Sequence, residues 1–287
     1  MTLLVRVIPL LHIKSNSLVK GVQLEGLRSL GSPDVYAKWY YEQCADEIAY
    51  LDIVASLYQR NSLGDVLAKT TDQVFVPVAA GGGIRSVDDA RRLLNFGADK
   101  ILINTAAIRR PQLIQEIAYI VGCQSVVLYI EAKKRGGWYE CLTDSARECA
   151  GRNVVDWVQE AVSLGCGEVL LASVDRDGTG LGYDLPLIHA VASVCTVPLI
   201  AAGGCGTPQH AVEAVQAGAD AVAVSSYLHY GAMAHVASIN KQQEGNREFL
   251  RGTRGVSKFA GTIQDIKHAL AQAGHPVRAA DQALTVA

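Results

Sequence analysis

Three ionisable side chains stand in or at the ends of apolar, β-branched runs of this sequence: His12 after LLVRVIPLL, Asp52 in EIAYLDIVA and Glu131 after SVVLYI. An acid and a base of different pKa across one cavity suit proton-transfer chemistry. An ordinary histidine titrates near neutrality and an ordinary glutamate is ionised there, so His12 and Glu131 could divide the two roles. A lone histidine at a strand end can equally be a satisfied polar residue, and the sequence leaves that alternative open.

Glycines supply a second chemistry. Gly81-Gly82-Gly83 and Gly203-Gly204 each follow an apolar run and precede a helical pattern, and the next runs end in Asn104-Thr105 and Ser225-Ser226. Backbone N–H groups freed by glycine at a helix start, beside hydroxyl or amide donors, make an anion site; glycines can also merely permit tight turns. The acidic loop Val174 to Gly180 lacks the liganding period of a calcium site and has no histidine or cysteine cluster nearby, so no metal is expected. Asp177 with Gly178 is read instead as orienting substrate or capping the loop. Finally, Arg6, Glu47, Lys100 and Glu168 stand at the starts of four apolar runs. Two cations and two anions on the inward phase would cross-pair as a plug. Buried ion pairs add little net stability, so a polar gate for a small neutral molecule is the alternative use.

The elements that must hold these residues are announced by a repeat. Val76 to Thr105 aligns without a gap on Val197 to Ser226, carrying Pro77 onto Pro198, Gly82-Gly83 onto Gly203-Gly204 and Gly97-Ala98-Asp99 onto Gly218-Ala219-Asp220. The same offset carries Glu47 onto Glu168. A repeat of this length reads as a duplicated half-domain with an equivalent site in each half. Eight short apolar runs alternate with helical patterns, which indicates a parallel sheet covered by helices. Eight βα units with a half-chain repeat favour a closed (β/α)8 barrel, a TIM barrel, over an open sheet. In such barrels the C-terminal strand ends carry the site. His12, Asp52, Glu131 and two facing phosphate sites therefore belong to the mouth, and the Arg6 cluster to the bottom.

A chain of 287 residues suits one such barrel, expected over 1–278 with an insert at about 232–261 and a tail at 279–287. The insert is polar and rich in Arg and Lys, so it reads as a surface loop with a short helix, or as a flap or partner contact at the rim. A last helix is expected over Thr262 to Ala273. The formal charge of −2 predicts no affinity for nucleic acid or anionic membrane. Seven scattered cysteines without a C-x-x-C pair argue for reduced thiols and a cytoplasmic location. The apolar start is too short for a signal peptide, and no run approaches membrane-spanning length.

These motifs resemble those of one family, the cyclase subunit (HisF) of imidazole glycerol phosphate synthase. The resemblance runs from Leu3 to Tyr230 and over the final helix, through VKGVQ at Val19 to Gln23, DEIAYLDI at Asp46 to Ile53, GGGIRSVDDARRLL, GADKILINTAA and DRDGTGLGYDL at Asp175 to Leu185. It implies a barrel built by half-barrel duplication and no cofactor. It also implies a HisH-like glutaminase docked on the bottom face, whose ammonia passes up the barrel to a substrate with two phosphates, giving imidazole glycerol phosphate and an aminoimidazole carboxamide ribotide. The implied phosphate residues are Gly83, Asn104 and Thr105 on one side and Asp177, Gly178, Gly204, Ser225 and Ser226 on the other. Arg6, Glu47, Lys100 and Glu168 are the implied ammonia gate, and Asp99 lies near the docking face.

Departures from the family pattern fall at the chemistry. His12 and Glu131 stand where the family has two catalytic aspartates, Ala172 where it has threonine and Ala202 where it has serine. Misplacement by about 1 Å can cost about a hundredfold in rate. The first expectation is therefore a HisF-like subunit of a glutamine-dependent amidotransferase, using ammonia or relaying it to another substrate or a further amidotransferase. An active cyclase of histidine biosynthesis is the alternative, and a non-catalytic scaffold that activates the glutaminase is a second.

Overall fold

The computed structural model describes residues 3–55, 63–239 and 259–279. Twelve strands lie along them: β1 (Arg6–Lys14), β2 (Ser17–Val22), β3 (Glu25–Gly31), β4 (Ile48–Asp52), β5 (Val78–Gly81), β6 (Lys100–Ile103), β7 (Val126–Arg135), β8 (Trp138–Thr143), β9 (Glu148–Asn153), β10 (Glu168–Ser173), β11 (Leu199–Ala202) and β12 (Ala221–Val224). The eight apolar runs of the sequence become β1, β4, β5, β6, β7, β10, β11 and β12, paired in parallel in the order β10-β11-β12-β1-β4-β5-β6-β7. Pairing of β7 with β10 closes the ring. The fold is a (β/α)8 barrel.

Side chains alternate along each strand, and here the two faces feed two cores. Val7, Leu11, Ile101, Ile103, Leu128 and Ile130 face the outer helices, whereas Ile8, Leu10, Ala49, Ala79, Leu102, Val127, Tyr129, Leu170 and Ala221 fill the barrel. The helices are α1 (Pro33–Glu42), α2 (Gly64–Thr71), α3 (Val87–Asn95), α4 (Thr105–Arg109), α5 (Gln112–Val121), α6 (Val154–Ser163), α7 (Leu185–Ala192), α8 (Pro208–Gln216), α9 (Ser226–Ile239) and α10 (Ile263–Gln272). Their starts are chemically marked: Ser86 accepts from the Asp89 N–H ahead of α3, and Thr262 with Asp265 forms a capping box on α10.

The repeat folds as a repeat. The Asp99 carboxylate accepts from the Val78 N–H at 2.8 Å and Asp220 accepts from Leu199 N–H at 2.8 Å. Asp46 clasps the Val7 N–H at the same distance. These aspartates tie the start of one strand to the approach to its neighbour, which gives Asp99 a structural duty of its own.

Two expectations change. The runs containing His12 and Glu131 do not pass directly to helices: β1 turns antiparallel into β2 and β3, and β7 into β8 and β9. Ser15 and Asn16 at positive φ make the first turn, and the second passes through Gly136 (φ 56°) and Gly137. In the insert, the part from Ala232 to Ile239 continues helix α9, with Ala232 and Val236 buried in the core. The end of the insert, 259–261, returns to α9, with the Gly261 N–H donating to the Tyr227 carbonyl at 3.1 Å, while 240–258 and positions 280–287 of the tail lie outside the described residues; the expected flap or partner contact falls in 240–258. The last helix forms within the expected span.

Candidate active site

Strands β1 and β7 deliver His12 and Glu131 to the mouth, and closure of the barrel buries both to 2% exposure. Burial lowers the His12 pKa to about 4, the nearby Lys20 ammonium adds to the fall and Asp177 opposes it. At neutral pH this imidazole is uncharged, and its Nε2 has no hydrogen-bond partner. Glu131 moves the other way. Burial raises it to about 7, partly offset by donors that favour the carboxylate: the Ala146 N–H, the Tyr129 hydroxyl and the Asn104 amide. Ala146 N and Asn104 Nδ2 lie 2.9 and 3.2 Å from Glu131 Oε2. A buried carboxyl near its midpoint can give or take a proton at neutral pH, while a neutral histidine can accept one. Asp52 is buried as well, and its Oδ1 accepts from the Val54 N–H at 3.0 Å.

The two expected phosphate sets are unequal. Gly82, Gly83, Asn104 and Thr105 line a cavity of about 270 Å3 with Arg85, Arg109 and Glu131. Thr105 Oγ1 accepts from the Asp144 N–H at 3.0 Å, and Arg109 pairs with the Asp144 carboxylate at 2.6 Å. Across the mouth, Asp177, Gly178, Gly204, Ser225 and Ser226 line a cavity of about 20 Å3 with His12, room for about one water. Ser226 Oγ is buried there without a partner, while Ser225 Oγ donates to the Leu10 carbonyl at 2.7 Å.

Asp177, expected among the phosphate residues, has protein partners of its own. Its carboxylate accepts two bonds from Lys20 Nζ at 2.9 Å and one from the Leu24 N–H at 3.3 Å, and its own N–H donates to the Ser173 carbonyl at 3.0 Å. Burial works against its charge, but Lys20 holds it below the usual carboxylate range. The residue anchors the β2–β3 hairpin to the loop after β10. Sequence reasoning passed over Lys20, whose only signal was its place in VKGVQ. It also passed over Tyr129, which sits on the inward phase two residues before Glu131.

At the opposite end, the four residues expected at the bottom come together as a closed ring. Arg6 reaches Glu47 at 2.7 Å and Glu168 at 2.8 Å, and Lys100 reaches the same two carboxylates at 2.9 and 2.8 Å. Each charge has two opposite neighbours, which offsets the cost of removing it from water. Burial nonetheless raises the Glu47 pKa against the pull of Lys100 and Arg6. Above the ring the barrel is lined by Ile8, Ala49, Ala79, Val127 and Ala221, an apolar bore with small side chains. Among the described residues no group of three His, Cys, Asp or Glu could hold a metal ion, and no helix is long and apolar enough to cross a membrane.

A model of the family described as "Histidine biosynthesis protein" matches residues 6–234. Among similar proteins, one from Legionella pneumophila is 52% identical over 203 residues, covering 70% of this chain and 96% of that protein. One from Exiguobacterium sibiricum is 44% identical over 227 residues, 79% of this chain and 91% of its own. One from Streptomyces avermitilis is 43% identical over 279 residues, 97% of this chain and 100% of its own. Each of the three is named imidazole glycerol phosphate synthase subunit HisF.

Proposed function

The chain belongs to the histidine biosynthesis protein family, and from that membership we propose that it is the HisF-like barrel subunit of a glutamine-dependent amidotransferase. It receives ammonia from a glutaminase docked on the N-terminal face, admits it through the charged ring and carries it up the bore to the mouth. The observation that carries this reading is the complete Arg6–Glu47–Lys100–Glu168 ring, spanning 2.7–2.9 Å contacts beneath an apolar interior. Four charges at the base of a barrel are a poor stabilising device but a selective one, since a small neutral molecule can slip past charges that bind hydrated ions.

The bottom face supports a docked partner. Leu3 and Leu4 ahead of β1, Phe75 ahead of β5, Phe96 ahead of β6 and Tyr119 and Ile120 ahead of β7 are all exposed, Tyr119 to 89% and Phe75 to 74%. A cluster of large apolar side chains left in solvent marks an interaction surface. Such a pair of soluble subunits would work in the cytoplasm, with residues 1–278 folding as one unit. At the mouth, Glu131 and His12 would exchange protons with an ammonia acceptor whose phosphate sits on the β5–β6 loops.

Replacing Lys100 with Ala opens the ring without touching the mouth. With the glutaminase present, the glutamine-dependent reaction of Lys100→Ala should fall at least threefold relative to the ammonium-dependent one; equal effects on both would sink the gate. Classical cyclisation is the second reading, favoured by a carboxyl held near neutrality beside an open cavity with glycine loops. Steady-state turnover of the family's bis-phosphate substrate with excess ammonium, abolished by Glu131→Gln, would establish it over relay to another acceptor.

A further inference from the structure

The barrel mouth is two-fold symmetric in backbone but not in content. Leu10 pairs in register with Ala49 and Tyr129 with Leu170, and Ala49 and Leu170 are one repeat offset apart, so Leu10 and Tyr129 are related by the duplication that relates the two halves. One half contributes an isobutyl group at this level and the other a phenol. Tyr129 is 2% exposed and lines both cavities, the open one of about 270 Å3 and the near-closed one of about 20 Å3. It stands beside the Glu131 carboxyl and favours its charged form. The near-closed half is also roofed by the β2–β3 hairpin, through the Lys20–Asp177 pair and the Gln23 N–H to Asp177 carbonyl bond at 2.9 Å. The open half is crossed in turn by the β8–β9 segment, through Ser145 Oγ to the Ile53 carbonyl and Asp144 to Thr105 and Arg109, yet it keeps the larger cavity.

We propose that Tyr129 is a specificity-determining partition that makes this mouth a receptor for a ligand carrying one phosphate, seated on the Gly83–Asn104–Thr105 side. A ligand with two phosphates would need its connecting chain to pass where the phenol stands. The proposal rests on reading the β5–β6 loops as an anion site, but not on the ammonia path.

Calorimetric titration of the full chain alone tests it, with inorganic phosphate and with an alkyl monophosphate and its matching alkanediol bis-phosphate as probes. The wild-type protein should bind one phosphate per chain and hold the bis-phosphate no more than about threefold tighter than the monophosphate. Gly83→Asp, whose glycine already has a positive φ of 73° that Asp tolerates, should abolish binding, and Ser226→Asp should leave it intact. Tyr129→Leu copies the Leu10 side and Tyr129→Ala removes more; either should raise the preference for the bis-phosphate tenfold or more. Tyr129→Phe keeps the bulk and loses the hydroxyl, so it should stay selective for one phosphate. Two phosphates bound by the wild type, sensitivity to Ser226→Asp or no gain in a folded Tyr129→Leu protein would overturn the partition. Absence of any phosphate binding would overturn the anion site itself, leaving the gate prediction standing.

Discussion

Glu131, held by burial at a pKa of about 7, is half-ionised at neutral pH, and its titration must appear both in rate and in stability. As a general acid it would give an activity limb that falls above pH 7, and Glu131→Gln should remove that limb together with most of the rate. The folded pKa lies above the ordinary 4.5, so the folded state binds the proton more tightly and stability declines as pH rises from about 4.5 to 7. Glu131→Gln should therefore be the more stable protein at pH 8, by at most about 3 kcal/mol in denaturant melts. His12 works with the opposite sign. Its pKa falls from 6.5 to about 4 on folding, so its neutral form favours the fold above pH 6.5 and that contribution is lost as pH drops toward 4. His12→Asn, left with the Glu131 slope alone, should gain stability as pH falls from 6.5 to 4.5, where the wild type hardly changes. Between those values the two slopes nearly cancel in the native protein, and each single variant should expose the other. A wild-type slope that neither substitution alters would count against burial as the cause.

Among the elements, hairpins extend β1 and β7 and cross the mouth from both sides. Hairpin β2–β3 crosses to the loop after β10, where a Cβ on Gly178 would lie 2.5 Å from the Gly21 carbonyl oxygen and where Gly178 has a positive φ of 72°. Gly178→Ala combines strain at that φ with a backbone clash, and should cost about 1–3 kcal/mol. Its hairpin should become sensitive to limited proteolysis while the barrel melts cooperatively; an unchanged digestion pattern would contradict the docking role. The hairpins were also the least legible elements. Their runs alternate weakly, and a two-residue turn through Ser15 and Asn16, both at positive φ, lacks the Asn-Gly or Asp-Gly signal that marks a hairpin in sequence. Gly136-Gly137 was a readable turn, yet the helical pattern expected after each strand overrode it.

For the whole molecule, duplication and closure set two faces of different make-up, buried titratable side chains at the mouth and a charged ring with exposed apolar side chains at the bottom. Replacing both Phe75 and Tyr119 with Asp should weaken capture of the glutaminase at least tenfold, read by analytical ultracentrifugation. Both side chains are exposed, so the melting temperature of the isolated chain should hardly move; undiminished association would remove the bottom face as the docking surface. The barrel itself was readable because its evidence is local and repeated: eight β-branched runs, a gap-free internal copy and strand phase that assigned Arg6, Glu47, Lys100 and Glu168 to one end. Alternation along a strand is a property of the backbone, so sequence alone determined which residues share a face and which end of the barrel they occupy. Tertiary structure decided the rest. Lys20 meets Asp177 across 157 residues, Tyr129 stands between two halves that the repeat made alike, and ring closure takes His12 and Glu131 out of water. Those outcomes depend on which surfaces meet and how much solvent they expel, and periodicity along a chain carries no record of either.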